Sequence, residues 1–193
     1  MKDSISTIDL DDPNCVVANT KGRSLGYFCQ QKPLRVTRVL LNQLKERVKE
    51  QGGKNLRLCL HEGPEALFHE MIILEHVGQY FPPHKHREKG ESWHVIEGKM
   101  AAFVFQEDGK IIDATVLDSE DTFLYRVDAN MYHMVVPLSG AVMYHESKPG
   151  PFLGPGDSIF APWAPNVSDQ AGLEQYVAKI LEQLNSECWR DRA

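Results

Sequence analysis

Between Gly78 and Lys148 the apolar residues fall into short runs separated by turn formers: Ser92 to Ile96, Met100 to Phe105, Ile111 to Leu117, Thr122 to Val127, His133 to Val136 and Ala141 to His145. Evenly spaced short runs of this kind predict an all-antiparallel sandwich or barrel. Glu97-Gly98, Asp108-Gly109 and Ser139-Gly140 supply turns between them. Upstream, Leu56 to His61 alternates like a strand, and Phe68 to Leu74 follows the turn Glu62-Gly63-Pro64-Glu65 as another.

Helical spacing occurs only outside this region. Val39, Leu40, Leu41, Leu44 and Val48 predict an amphipathic helix from Thr37, stopped by Gln51-Gly52-Gly53. Asp169 caps a second, with Leu173, Tyr176, Val177, Ile180, Leu181 and Leu184 on the face that packs on the strands or a neighbouring subunit. The Pro/Gly-rich stretch from Pro149 to Pro165 reads as an irregular loop anchored by Trp163. Residues 1–36 read as an arm or short edge strands, 37–165 as a barrel with its preceding helix, and 166–193 as a C-terminal helix packed on it. A chain of 193 residues accommodates this as one domain.

Charge and cysteine content narrow the class. With 21 basic against 27 acidic residues the net charge is −6, which argues against nucleic-acid binding. Apolar runs are strand-sized, and Met1-Lys2-Asp3-Ser4 opens without an apolar signal segment, so a cytoplasmic protein without a membrane partner is expected. Cys15, Cys29, Cys59 and Cys188 are widely spaced, which predicts buried thiols instead of a zinc finger or disulfide framework.

The chemistry concentrates in Gly78 to Gly98. His84 and His86 share one face of a strand, because side chains alternate with period two. A turn over Arg87 to Gly90 then brings in Glu91. Two imidazoles and a carboxylate suit one divalent transition metal, iron, manganese, nickel or zinc, with positions left for a small-molecule ligand. The spacing of Gly78, His84, His86, Glu91 and Gly98 resembles the first motif of the cupins. In that family a further histidine ligand comes from a later strand. The segment Asp128-Ala129-Asn130-Met131-Tyr132-His133 corresponds loosely, with Asn130 in place of glycine, Asp128 in place of proline and Pro137 in place of asparagine. His133 is therefore the expected fourth ligand, and His145 the alternative.

The resemblance implies a mainly β fold, a single double-stranded β-helix (jelly-roll barrel) with flanking N- and C-terminal helices. Together with Asn55 to His61, Glu146 to Phe152 and Phe160 to Pro165, it narrows to the WbuC-type cupin metalloproteins over about residues 37–165. Such proteins are often encoded among bacterial surface-polysaccharide genes, which implies a sugar-type substrate.

Parity places further side chains. Tyr80 shares the face of His84, and Trp93 that of Glu91; with Arg57 they are expected to contact substrate. Glu146, His61 and Tyr144 are the expected proton carriers. His94 is expected outside the metal shell, and His69 and His76 to be structural. These residues suit a metal-dependent isomerase or epimerase. A non-haem iron dioxygenase and a non-catalytic metal- or ligand-binding module are the alternatives. Exposed strand edges suggest a homodimer.

Overall fold

Thr37 opens the first helix as its spacing predicts: the side-chain oxygen accepts a hydrogen bond from the Leu40 backbone N–H at 3.2 Å. The computed structural model describes residues 8–20 and 24–185. In chain order the elements are β1 (Val16–Asn19), β2 (Leu25–Cys29), α1 (Arg38–Glu50), β3 (Leu56–Cys59), β4 (Phe68–His76), β5 (His84–Lys85), β6 (Glu91–Glu97), β7 (Lys99–Phe105), β8 (Ile111–Asp118), β9 (Leu124–Val127), β10 (Tyr132–Pro137), β11 (Ala141–Pro149), β12 (Ile159–Phe160) and α2 (Gln170–Asn185).

The strands form two facing sheets, ordered β1-β2-β3-β4-β11-β6-β9 and β12-β5-β10-β7-β8. Pairing is antiparallel except between β2 and β3, which run parallel. Neither sheet closes on itself, so the expected barrel is realised as two open sheets with a layer of side chains between them. Alternation along each strand sorts the core. Leu40, Leu41, Leu44 and Val48 of α1 bury against Leu56, Leu58, Ile72 and Leu74 on one outer face. Val177, Ile180 and Leu184 of α2 cover Phe103, Phe105 and Tyr132 on the other. Trp93, Val95, Met100, Val104, Leu117 and Tyr144 fill the space between the sheets.

Two departures from the hydrophobic pattern matter for the site. β11 continues to Pro149, beyond the apolar run that ends at His145. Its last inward side chains, Glu146 and Lys148, are charged and carry no apolar signal, but they pair with each other inside the molecule. β5 is only two residues long, and β12, within the proline-rich loop, pairs with it. Gly98 has φ +84°, and a Cβ there would stand 2.6 Å from the Ala141 carbonyl oxygen, which explains glycine at the β6–β7 turn. Among the described residues no helix is long and apolar enough to cross a membrane. Cys15, Cys29 and Cys59 are buried free thiols, as expected; Cys188 lies outside the described residues.

Candidate metal centre

His84 pairs in register with His133 across β5 and β10, so both imidazoles rise from adjacent strands of the smaller sheet. His86 follows β5, and Glu91 reaches in from β6 of the larger sheet. The potential ligand atoms of His84, His86, Glu91 and His133 lie within 4.8 Å of one another. His86, Glu91 and His133 are almost wholly buried. His145, the alternative ligand, faces away and meets Glu70 at 3.5 Å.

Hydrogen bonding fixes how the imidazoles are presented. Nδ1 of His84 lies 3.1 Å from the Pro82 carbonyl, Nδ1 of His133 lies 2.8 Å from the Met131 carbonyl, and Nδ1 of His86 meets the Asp157 carbonyl. A carbonyl only accepts, so each Nδ1 carries the proton and each Nε2 turns a lone pair inward. Glu91 Oε1 stands 3.1 Å from Nε2 of His133, and Oε2 stands 3.2 Å from Nε2 of His86. Lone pairs therefore face lone pairs, and the buried His133 Nε2 has no hydrogen-bond partner. A divalent cation satisfies all of these atoms together, and the mixed nitrogen and oxygen donor set suits a first-row transition ion.

One basic side chain borders the cluster. Lys148 Nζ is 3.2 Å from Glu91 Oε2, 2.9 Å from Glu146 Oε1 and 3.5 Å from His86 Nε2. Burial opposes ionisation of Glu91, but the Lys148 ammonium outweighs it and holds the carboxyl well below its ordinary range. Burial likewise opposes the Lys148 charge, and Glu146 and Glu91 overcome it, raising the ammonium pKa. Burial keeps His84 neutral. Tyr144 is pushed well above the usual phenol range by burial and by Glu75, to which it is hydrogen-bonded.

Behind His86 sits a second array. The Asp157 carboxylate, buried, receives Lys89 Nζ and the Leu153 N–H, and Lys89 also donates to the Pro151 carbonyl. This clasps the proline-rich loop onto the ligand strand. The Lys148–Glu91 contact and the parts played by Lys89 and Asp157 carry no local sequence signal. The contact needs the β11–β6 register, and Asp157 acts through a backbone carbonyl that any residue carries.

The centre opens on a cavity of about 980 Å³ between the sheets. Arg57, His61, Trp93, Tyr144 and Glu146 line it together with Glu91 and His133. Tyr80 does not. It packs in the core under α2, because residues 78–83 are not a strand and period two does not extend back from His84. Phe81 lines the cavity instead, its ring 4.7 Å from that of His84. His69 stacks on His61 at 4.1 Å in the cavity wall, and His76 meets Asn55. His94 is exposed and outside the cluster.

A family model described as a domain of unknown function (DUF6016) matches residues 36–117. No curated protein matches the chain. Among solved structures it is similar to the capsular polysaccharide assembling protein CapF from Staphylococcus aureus, at 15% identity over 56% of this chain and 30% of that one, with a TM-score of 0.46. It is similar also to Cellulomonas parahominis L-ribose isomerase with L-ribose, at 14% identity over 57% and 70% of the two chains, TM-score 0.46. A third is procruciferin, an 11S globulin from Brassica napus, at 10% identity over 48% and 22%, TM-score 0.39.

Proposed function

We propose that the chain is a WbuC-type cupin metalloprotein that isomerises or epimerises a small polar, sugar-type substrate. The observation that supports this is a carboxylate and an ammonium, Glu146 and Lys148, on one strand beside the metal ligands and open to the cavity. His84, His86, Glu91 and His133 would hold the ion. Bound there, a divalent transition metal supplies Lewis-acid polarisation of a substrate oxygen.

The remaining work falls to the chain. Glu146 accepts a proton from the carbon next to the polarised oxygen, with Lys148 at 2.9 Å holding the carboxylate in place. Tyr144 lies two positions earlier on the same face of β11, and its hydroxyl stays protonated, so it serves as donor on the return step. The proton removed from one carbon is thereby replaced from another group, and no redox partner is consumed. Trp93 lies within the wall beside Glu146, its register partner across β6 and β11.

The test is elemental analysis of protein purified without added metal, followed by solvent-deuterium incorporation into a panel of aldoses, ketoses and nucleotide sugars. Glu146→Gln should keep its metal and lose the exchange. Oxygen uptake without deuterium incorporation would instead identify a dioxygenase, and bound metal with neither would identify a binding module.

A further inference from the structure

We propose that the end of the cavity remote from the metal is an oxyanion site centred on Arg57, so that the substrate carries a phosphate or carboxylate at its far end. This rests on the sugar-type reading above for the rest of the ligand. Arg57 lies on the inward face of β3, half-buried, and lines the same cavity as Glu91 and His133. Its Nη1 donates to Ser24 Oγ at 3.0 Å, and the guanidinium also engages the thiol of Cys59 on the same face of β3. No carboxylate among the described residues comes within 4.0 Å of the guanidinium. Glu75, the nearby acid in the cavity wall, is engaged by the Tyr144 hydroxyl.

A half-buried cation in a chain of net charge −6 would ordinarily be paired, since desolvating a charge without a partner is costly. Arg57 is also given room. A Cβ at Gly26, its register partner on β2, would stand 3.1 Å from Nε and 3.4 Å from Cζ, so the bare glycine lets the guanidinium lie across that strand. Lys54, exposed at the rim of the same cavity, likewise has no carboxylate within 4.0 Å among the described residues. A planar guanidinium held by neutral partners, Ser24 and Cys59, and facing a cavity suits the two oxygens of a carboxylate or phosphate.

The strand order sets the length of the ligand. β3, β4, β11 and β6 are consecutive neighbours and the register runs Arg57, Ile73, Tyr144, Val95, so Arg57 and Glu91 are three strand spacings apart across the sheet and a further four residues along β6, roughly 19 Å between backbones. Guanidinium and carboxylate both reach into the cavity and shorten that gap, yet one sugar ring does not span it. The chemical class that fits is a sugar joined to a terminal anionic group, such as a nucleotide-linked sugar.

Calorimetric titration of the metal-loaded full chain with UDP-glucose, glucose 1-phosphate, glucuronate and glucose tests this. A charged probe should bind at least about tenfold more tightly than glucose, and Arg57→Ala should weaken it by about tenfold to a hundredfold. UDP-glucose against glucuronate separates phosphate from carboxylate as the recognised anion. Gly26→Ala, which keeps the charge and displaces the guanidinium, should give a smaller loss and guards against misfolding of the first variant. Equal binding of glucose and the charged probes, no charged probe binding at about 5 mM, or wild-type affinity in both variants would overturn the proposal. Metal content of the same samples separates the two readings. Binding through Arg57 in a protein that holds no metal removes the metal-centre function and leaves the anion site standing.

Discussion

Lys148 Nζ and Glu91 Oε2 meet at 3.2 Å across two strands, one step beyond the last register pair of β11 and β6, Ser147 and Ser92. The ammonium thus borders the cluster that could hold a dication, and it also neutralises Glu146. Removing it should have opposite effects with and without metal. Lys148→Met leaves two buried carboxylates unpaired in the metal-free protein, which should cost about 3 kcal/mol, or roughly 10 °C in Tm. Metal then supplies the missing positive charge, so the stabilisation on loading should exceed that of wild type. Differential scanning calorimetry with and without metal checks this, and equal shifts in the two proteins would show that Lys148 is no counter-ion.

Asp157 would support a metal ion through His86 without being one of its candidate ligands. Its carbonyl receives the Nδ1 proton of His86, and its carboxylate ties down Lys89 and the Leu153 N–H. Asp157→Ala keeps the carbonyl and frees the loop that positions it. Metal affinity should fall by about 10- to 100-fold with every ligand intact. Asp157→Asn retains an acceptor for Lys89 and should recover part of the loss. Competition with a chromogenic chelator measures both, and unchanged affinity in the alanine variant would remove Asp157 from the site.

The parts of this site visible in the sequence are those encoded by local spacing. The His84-x-His86 pair, Glu91 after a four-residue turn and the left-handed Asn130, with φ 63°, all follow from short-range geometry. Both helices were legible for the same reason, since Thr37 and Asp169 are local caps. Tyr80 was misplaced because the parity argument assumes a continuous strand, and Gly78, with φ +86°, and the Pro82-Pro83 pair interrupt it. The contact of Lys148 with Glu91 stayed hidden because it depends on which strand pairs with β11. Residues that break an apolar run look like the end of a strand until their partner is known.

His61 should remain neutral well below the ordinary imidazole range. Burial, followed by the neighbouring His69 ring, lowers its pKa to about 4. Between that value and the unfolded value near 6.5 the unfolded chain binds the extra proton. The stability associated with neutral His61 is thus complete above about pH 6.5 and is lost as the pH falls toward 4. A proton NMR titration of the ring should give the low midpoint directly. His61→Asn should flatten the decline of Tm over that window; an unaltered slope together with a midpoint near the free-imidazole value would refute the assignment.

His133 and His145 differ in the face each presents, and only His133 joins the cluster of candidate ligands. His133 stands opposite His84 in the β5–β10 ladder, and its buried Nε2 has no hydrogen-bond partner. His145 is on the other face of β11, 3.5 Å from a Glu70 that is 45% exposed in its side chain. His133→Ala removes one of four ligands from a buried cluster and should abolish stoichiometric metal binding at micromolar ion concentrations. His145→Ala loses a solvent-screened contact, so full metal content and a stability change within about 0.5 kcal/mol are expected. Elemental analysis after gel filtration gives the stoichiometry, and far-UV circular dichroism confirms that each variant is folded. Full occupancy in folded His133→Ala would mean that the ion, if bound, is held by the other three ligands alone, and the lone pair now facing Glu91 would need another explanation.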